Sequence, residues 1–212
     1  MLRLARRLGL TTTEVIARHT EAGGTVLQTR EDGACAFLGP HGCSVHPGRP
    51  LACRLYPLAR WTDPDGRESF GHLTPHPQTA GIYGSDGTVW DYLAAQGVEP
   101  YFAAGDRYGD LYDRMVGLLE RLAPEEAERR SDRRAEVDEM DAGSVASSFM
   151  DVDATVAAYC REHDLPVPTE IDAVVELHVQ AINAWLDTLD PSAARPPDIA
   201  REAGKMVCHP LA

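Results

Sequence analysis

Three of the chain's five cysteines, Cys35, Cys43 and Cys53, fall within 19 residues, and His41 and His46 lie between them. Thiolate and imidazole are the side chains that hold zinc and iron–sulfur centres. Each of the three cysteines sits beside a turn residue (Gly33, Gly42, Pro50) rather than inside an apolar run. Turn positions suit a metal site, because a turn can aim two thiolates at one point. The spacing C-x7-C-x9-C is not the pair of C-x2-C knuckles of a compact zinc ribbon. Spacing alone therefore leaves three readings open: small core residues, disulfide partners or metal ligands. An odd number of cysteines cannot be fully paired within one chain. Cys160 stands inside an apolar helical pattern and reads as a small buried hydrophobe. With His163 three residues on, it also shares one face of the expected helix with an imidazole.

The elements around these residues divide the chain into a cysteine-bearing half of short strands and turns and a helical half. Residues 2–9 predict a helix ending at Gly9. Thr11 and Glu14 form a T-x-x-E capping box that opens a second helix over 12–19. Gly23–Gly24 breaks it. Residues 25–30 and 34–38 predict strands joined by the turn EDG. GPHG (39–42) predicts a tight turn, CSVH a returning strand, and LACRLYP one helical turn stopped by Pro57. The apolar runs flanking DPDG (63–66) predict a hairpin. Residues 74–79 read as irregular and extended. Helices are expected over 88–97, 99–122, 151–163 and 169–189. The charged stretch 125–143 reads as a solvated helix extension running into a linker, and the Pro-rich tail as partly ordered. The fold class expected is α+β, mainly helical, with a small irregular β-hairpin region carrying the cysteines. The expected organisation is 1–122 for the cysteine-cluster domain, 123–150 for the charged linker and 151–212 for a helical C-terminal region.

At 212 residues, with 20 Lys+Arg against 33 Asp+Glu and a net charge of −13, the chain argues against nucleic acid as a partner. No run of apolar residues reaches membrane-spanning length, and the N-terminus MLRLARRLGL lacks the pattern of a signal peptide. A cytoplasmic location is expected, where thiols stay reduced and clustered cysteines more often bind metal than pair. No Walker loop, GxGxxG, HExxH or GxSxG occurs, so no catalytic set is named.

GACAFLGPHGCSVHPGRPLACRLYPLARW resembles the signature of the YkgJ-type cysteine-cluster family, the CxxCxxCC zinc- or iron-chelating proteins. Cys35-Ala-Phe37-Leu38, Gly42-Cys43, Arg49-Pro50 and Cys53-Arg54-Leu-Tyr56-Pro57 match its pattern, and LGLTTTEVIARHT and GIYGSDGTVWDYLAAQG resemble its flanks. The resemblance covers about residues 1–120. Three departures stand out. The family's cysteine cluster upstream of the first helix is missing here, Val45-His46 replaces an Ile-Tyr step, and His76-Pro77 stands where many members carry Cys-Pro-Gly. The resemblance thus implies a Cys3His set of Cys35, Cys43, Cys53 and His76, which suits zinc, with iron or an iron–sulfur cluster as the alternative. His46 and the pair Cys208–His209 compete for the fourth position. Arg49 and Arg54 are expected to offset the thiolate charge and donate to sulfur. The function implied is metal chelation. Some relatives are linked to lysine N-methylation of flagellin, so a metalloenzyme is the alternative, and an interaction module with a purely structural metal is a third.

Overall fold

The computed structural model describes residues 1–122 and 149–189, apart from positions 64, 78, 80, 82, 83 and 85. The expectations for 125–143, for the tail and for Cys208–His209 lie outside the described residues. The architecture is α+β and mainly helical, with three two-stranded antiparallel sheets among the described residues.

Helix α1 (Leu2–Leu8) ends on Gly9, whose φ of 67° is the left-handed conformation that glycine adopts without strain. The capping box then forms as read: the Thr11 hydroxyl accepts from the Glu14 N–H while Glu14 accepts from the Thr11 N–H, starting α2 (Thr12–His19). Gly23 and Gly24, at φ 65° and 100°, turn the chain back so that β2 (Val26–Leu27) pairs with β1 (Thr20–Glu21).

That turn changes the expected hairpin. Residues 25–30 do not form one strand with 34–38 as partner. The outer end goes to β1, and the inner end keeps a narrow ladder. Its contacts are one bridge between Thr29 and Cys35, Arg30 N–H to Ala34 O at 2.7 Å and Ala36 N–H to Gln28 O at 3.0 Å. Asp32 closes the EDG turn by accepting from the Ala34 N–H at 3.0 Å. GPHG joins β3 (Leu38–Gly39) to β4 (Gly42–Cys43). CSVH leaves the ladder after Cys43 and passes into a 3-10 turn at His46–Gly48. LACRL is α3 (Leu51–Leu55), and a cis Tyr56–Pro57 peptide leads into the hairpin β5 (Leu58–Thr62) and β6 (Glu68–His72). Its turn closes through Asp63, which accepts from the Arg67 N–H at 2.8 Å.

Helices α4 (Val89–Gln96) and α5 (Glu99–Leu122) follow, then α6 (Val152–Glu162) and α7 (Ile171–Leu189). Helix α1 joins the two ends of the chain. Leu2 is buried with Val152, Val156, Cys160, Val174 and Val175, while Leu4 and Ala5 are buried with Val15, Phe37 and Val45. Leu111 and Leu118 of α5 pack on Ile182 and Leu186 of α7.

Two buried polar groupings lock these layers. Thr12, fully buried, donates from Oγ1 to Asp151 Oδ1 at 2.7 Å and accepts from the Asp153 N–H at 2.8 Å. Asp151 also accepts from the Thr13 hydroxyl at 2.6 Å and caps α6. Between α5 and α7, Tyr108 meets Nδ1 of the fully buried His178 at 2.8 Å. Burial pushes the Tyr108 phenol up to about 12, so the phenol keeps its proton.

Candidate metal centre

Cys35, Cys43 and Cys53 reach one region from three different elements. Cys35 is held by its bridge to Thr29, and Cys43 by its pairing with Leu38 in the β3–β4 hairpin. Both are half-buried against the α1–α2 core through Phe37 and Val45. Cys53 sits on α3 and is exposed as a residue. Its thiol is nonetheless pushed above its ordinary value. Desolvation contributes most, the charges of Cys35 and Cys43 add to it, and Arg49 opposes it. Cys35 and Cys43 thus lie near enough to Cys53 for their charge to oppose its ionisation, and anything that makes Cys53 a thiolate beside them must supply positive charge. A divalent cation does this most directly.

The three thiols are neighbours but do not form a closed cage. Among the described residues, no three Cys, His, Asp or Glu side chains stand together closely enough to hold a metal ion as they are. Donor chemistry suits zinc, and closure would take rotation of side chains on loops.

His76 is exposed in the extended segment after β6. Its N–H donates to the Tyr56 hydroxyl at 2.6 Å. Tyr56 directly follows α3, so this bond ties the backbone of residue 76 three positions from Cys53. Tyr56 is in turn gripped from α4, because the Tyr92 hydroxyl donates to its carbonyl at 2.6 Å. His46 is exposed at the start of the 3-10 turn. Arg49 chiefly, with burial and Arg54, holds its imidazole below the ordinary value, so it is neutral and able to ligate near pH 7. His41 is exposed in the β3–β4 turn.

The two arginines meet the expectation only in part: Arg49 offsets thiolate charge at Cys53, but their hydrogen bonds do not go to sulfur. The bonds they make run to oxygen: Arg49 donates to Gln96 Oε1, and Arg54 donates to the carbonyls of Arg49, Gln96 and Pro47, the last two at 2.5 and 2.6 Å. Arg54 is thus a staple that fixes the 46–50 turn to the end of α4. It braces the turn between Cys43 and Cys53 without touching sulfur in these bonds. Its guanidinium fork reaches three carbonyls from one stem, which a lysine ammonium cannot copy. Arg54→Lys is expected to lower stability by about 1–2 kcal/mol, read as a shift in urea midpoint. An unchanged midpoint would show that the staple contributes nothing.

Cys160 belongs to the core. It is 2% exposed, with its thiol 3.6 Å from the Pro166 carbonyl. His163 is exposed at the end of α6 and stacks on Tyr159 at 4.1 Å. A shared helix face does not make this a nucleophile and base. The sequence reading missed the Tyr56–His76 tether and the Arg54 staple. Arg54 and Tyr56 both stand in the CRLYP stretch; Arg54 was read as offsetting thiolate charge and donating to sulfur, and Tyr56 only as part of the family resemblance.

Among the described residues, no helix is long and apolar enough to cross a membrane. In comparison with known proteins, no family model, curated protein or solved structure matches the chain.

Proposed function

We propose that the protein chelates a metal ion, zinc before iron, through Cys35, Cys43 and Cys53, with His76 as the fourth ligand. What supports this reading is that three separate elements, the Thr29–Cys35 bridge, β4 and α3, bring Cys35 and Cys43 close enough to Cys53 for their charges to bear on its thiol. Core cysteines would be buried as Cys160 is, and these are half-buried or exposed. The tether from Tyr56 to the His76 backbone favours His76, since it anchors that segment beside α3. His46 is the competing donor. A resident iron–sulfur cluster fits less well, because it ordinarily takes four thiolates. The resemblance to YkgJ-type proteins points the same way, and the setting proposed is the reducing cytoplasm, where thiolates persist. Nucleic acid and membrane are not among the partners proposed.

Metal analysis by mass spectrometry on protein purified without a histidine tag tests this. About one zinc per chain is expected in the wild type, lost in Cys43→Ser and reduced in His76→Ala. Loss in His46→Ala instead would reassign the fourth ligand. Stoichiometric iron with a brown colour would move the reading to a redox cluster. Absence of metal after growth in zinc-supplemented medium would end it.

A further inference from the structure

A second site, not lined by the thiols, lies where α1 crosses the 46–50 turn and the first turns of α5 and α7. It has two adjoining compartments that share Arg3, Gly48, Pro100, Tyr101 and Ile171 in their walls. The larger, about 370 Å³, is predominantly apolar and is walled by groups such as Leu2, Ala104, Phe149 and Val175. The smaller, about 290 Å³, is more open and is bordered by Arg3, Arg7 and Arg54, with no Asp or Glu in its wall.

In a chain of net charge −13, three arginines around one opening with no acid among them form a local exception. Their charge is weakly countered. Arg54 is held by neutral carbonyls and stacks over the Tyr101 ring at 4.7 Å. Arg3 stacks over the same ring at 5.2 Å, and the ion partner it has, Asp172 at 3.3 Å, is 80% exposed at the edge of the apolar compartment. Two guanidinium groups are thus positioned before any ligand arrives, which lowers the cost of ordering them on binding. The apolar compartment alone falls within the range of about 300–1,000 Å³ typical of small-molecule sites. The Tyr101 hydroxyl is buried without a hydrogen-bond partner among the described residues, and a bound polar group would supply one.

We propose that this cleft binds a single-chain organic anion, its carboxylate or phosphate head between Arg3, Arg7 and Arg54 and its apolar tail in the larger compartment. Gly48 sets the geometry. A Cβ there would stand 2.5 Å from Arg7 Cβ and 2.7 Å from the Arg3 carbonyl, so only glycine lets α1 approach close enough to place both arginines.

Titration calorimetry with octanoate, octyl phosphate, octanol and acetate tests the idea on the full chain. One-to-one binding of octanoate, octyl phosphate or both is expected, at least about tenfold tighter than octanol or acetate. The tighter of the two anions identifies the head. The double variant Arg3→Gln/Arg7→Gln should reduce anion binding to the level of octanol while circular dichroism stays that of the wild type. Ala104→Phe, which fills the apolar compartment, should weaken octanoate and octanol alike. If Ala104→Phe fails to fold, the arginine variant decides, since Arg7 is exposed. Octanoate and octyl phosphate binding no tighter than octanol, or unaffected by loss of both arginines, or no binding at millimolar ligand, would overturn the proposal.

Discussion

Asp151→Ala is expected to lower the stability of the protein by about 2–4 kcal/mol, read as a lower urea midpoint at unchanged m-value. One carboxylate does three jobs: it accepts from the buried Thr12 hydroxyl, accepts from Thr13, and caps α6 at Ala154 N–H. Loss of a helix cap costs about 1 kcal/mol. Stranding a buried hydroxyl adds about 1–3 kcal/mol. Asp151→Asn keeps one acceptor oxygen, enough for the Thr12 hydroxyl and the Ala154 N–H, loses the acceptor facing the Thr13 hydroxyl, and should cost less than Asp151→Ala. Asp153 gives the same joint its pH dependence. Burial pushes its carboxyl up, but the bidentate bond from Arg6, at 2.9 and 2.5 Å, and the Thr12 N–H at 2.8 Å together hold it below the ordinary 3.8. A depressed folded value supplies stability that is fully present above the unfolded value. It is lost as pH falls through the folded one. The acid limb of stability below about pH 4 should therefore flatten in Asp153→Asn. An unchanged acid limb would mean that Asp153 is not the titrating group.

This joint was hidden in the sequence. Thr12 and Thr13 lie in the TTTE run, which announces a helix start and nothing more, and Asp151 and Asp153 are about 140 positions away. Local signals were read well because their physics is local. The Thr11–Glu14 box, Gly9 and Gly97 as left-handed caps and the DPDG turn each depend on a few consecutive residues. The T-x-x-D box at Thr88–Asp91 is of the same kind; the helix was read over 88–97 without that cap being named. The strand over 25–30 formed in part: Val26–Leu27 pairs with Thr20–Glu21 because Gly23 and Gly24 turn the chain back, while the Thr29–Cys35 bridge keeps the expected turn at EDG.

The candidate centre was legible in part. The clustering of thiols near turns was visible, and Cys35, Cys43 and Cys53 do come near one another, because Phe37 and Val45 pin the intervening loops to α1 and α2. What spacing could not carry is how the loops are braced. Tyr56, Tyr92, Arg49 and Arg54 link residues 36 to 47 positions apart, except where Tyr56 reaches residue 76. The anion cleft was not legible at all. Arg3 and Arg7 looked like the polar face of an N-terminal helix until the 46–50 turn and Tyr101 closed around them.

Removing bound zinc should lower the melting temperature by about 8–16 °C and open one region only. A ligand at 1,000 times its Kd adds about 4 kcal/mol to the folded state. For a chain of this size each kcal/mol shifts the melting point by about 2–4 °C. The helical body does not depend on it, since Leu2 with α6 and α7, and Leu111 and Leu118 with α7, bury their own cores. The cysteine loops depend on it more. Among the described residues between Gln28 and Arg54, Phe37, Val45 and Gly48 are the buried ones, against long exposed stretches. A chelator should thus raise amide exchange at Ala36, Ser44 and Arg54, whose N–H groups bond to Gln28, Phe37 and Pro50, and leave the amides of α6 and α7 unchanged. Uniform exchange increases would assign the metal to the whole fold. No change in either melting or exchange, in protein shown to carry zinc, would remove Cys35, Cys43 and Cys53 as its ligands and return them to the surface of an ordinary loop.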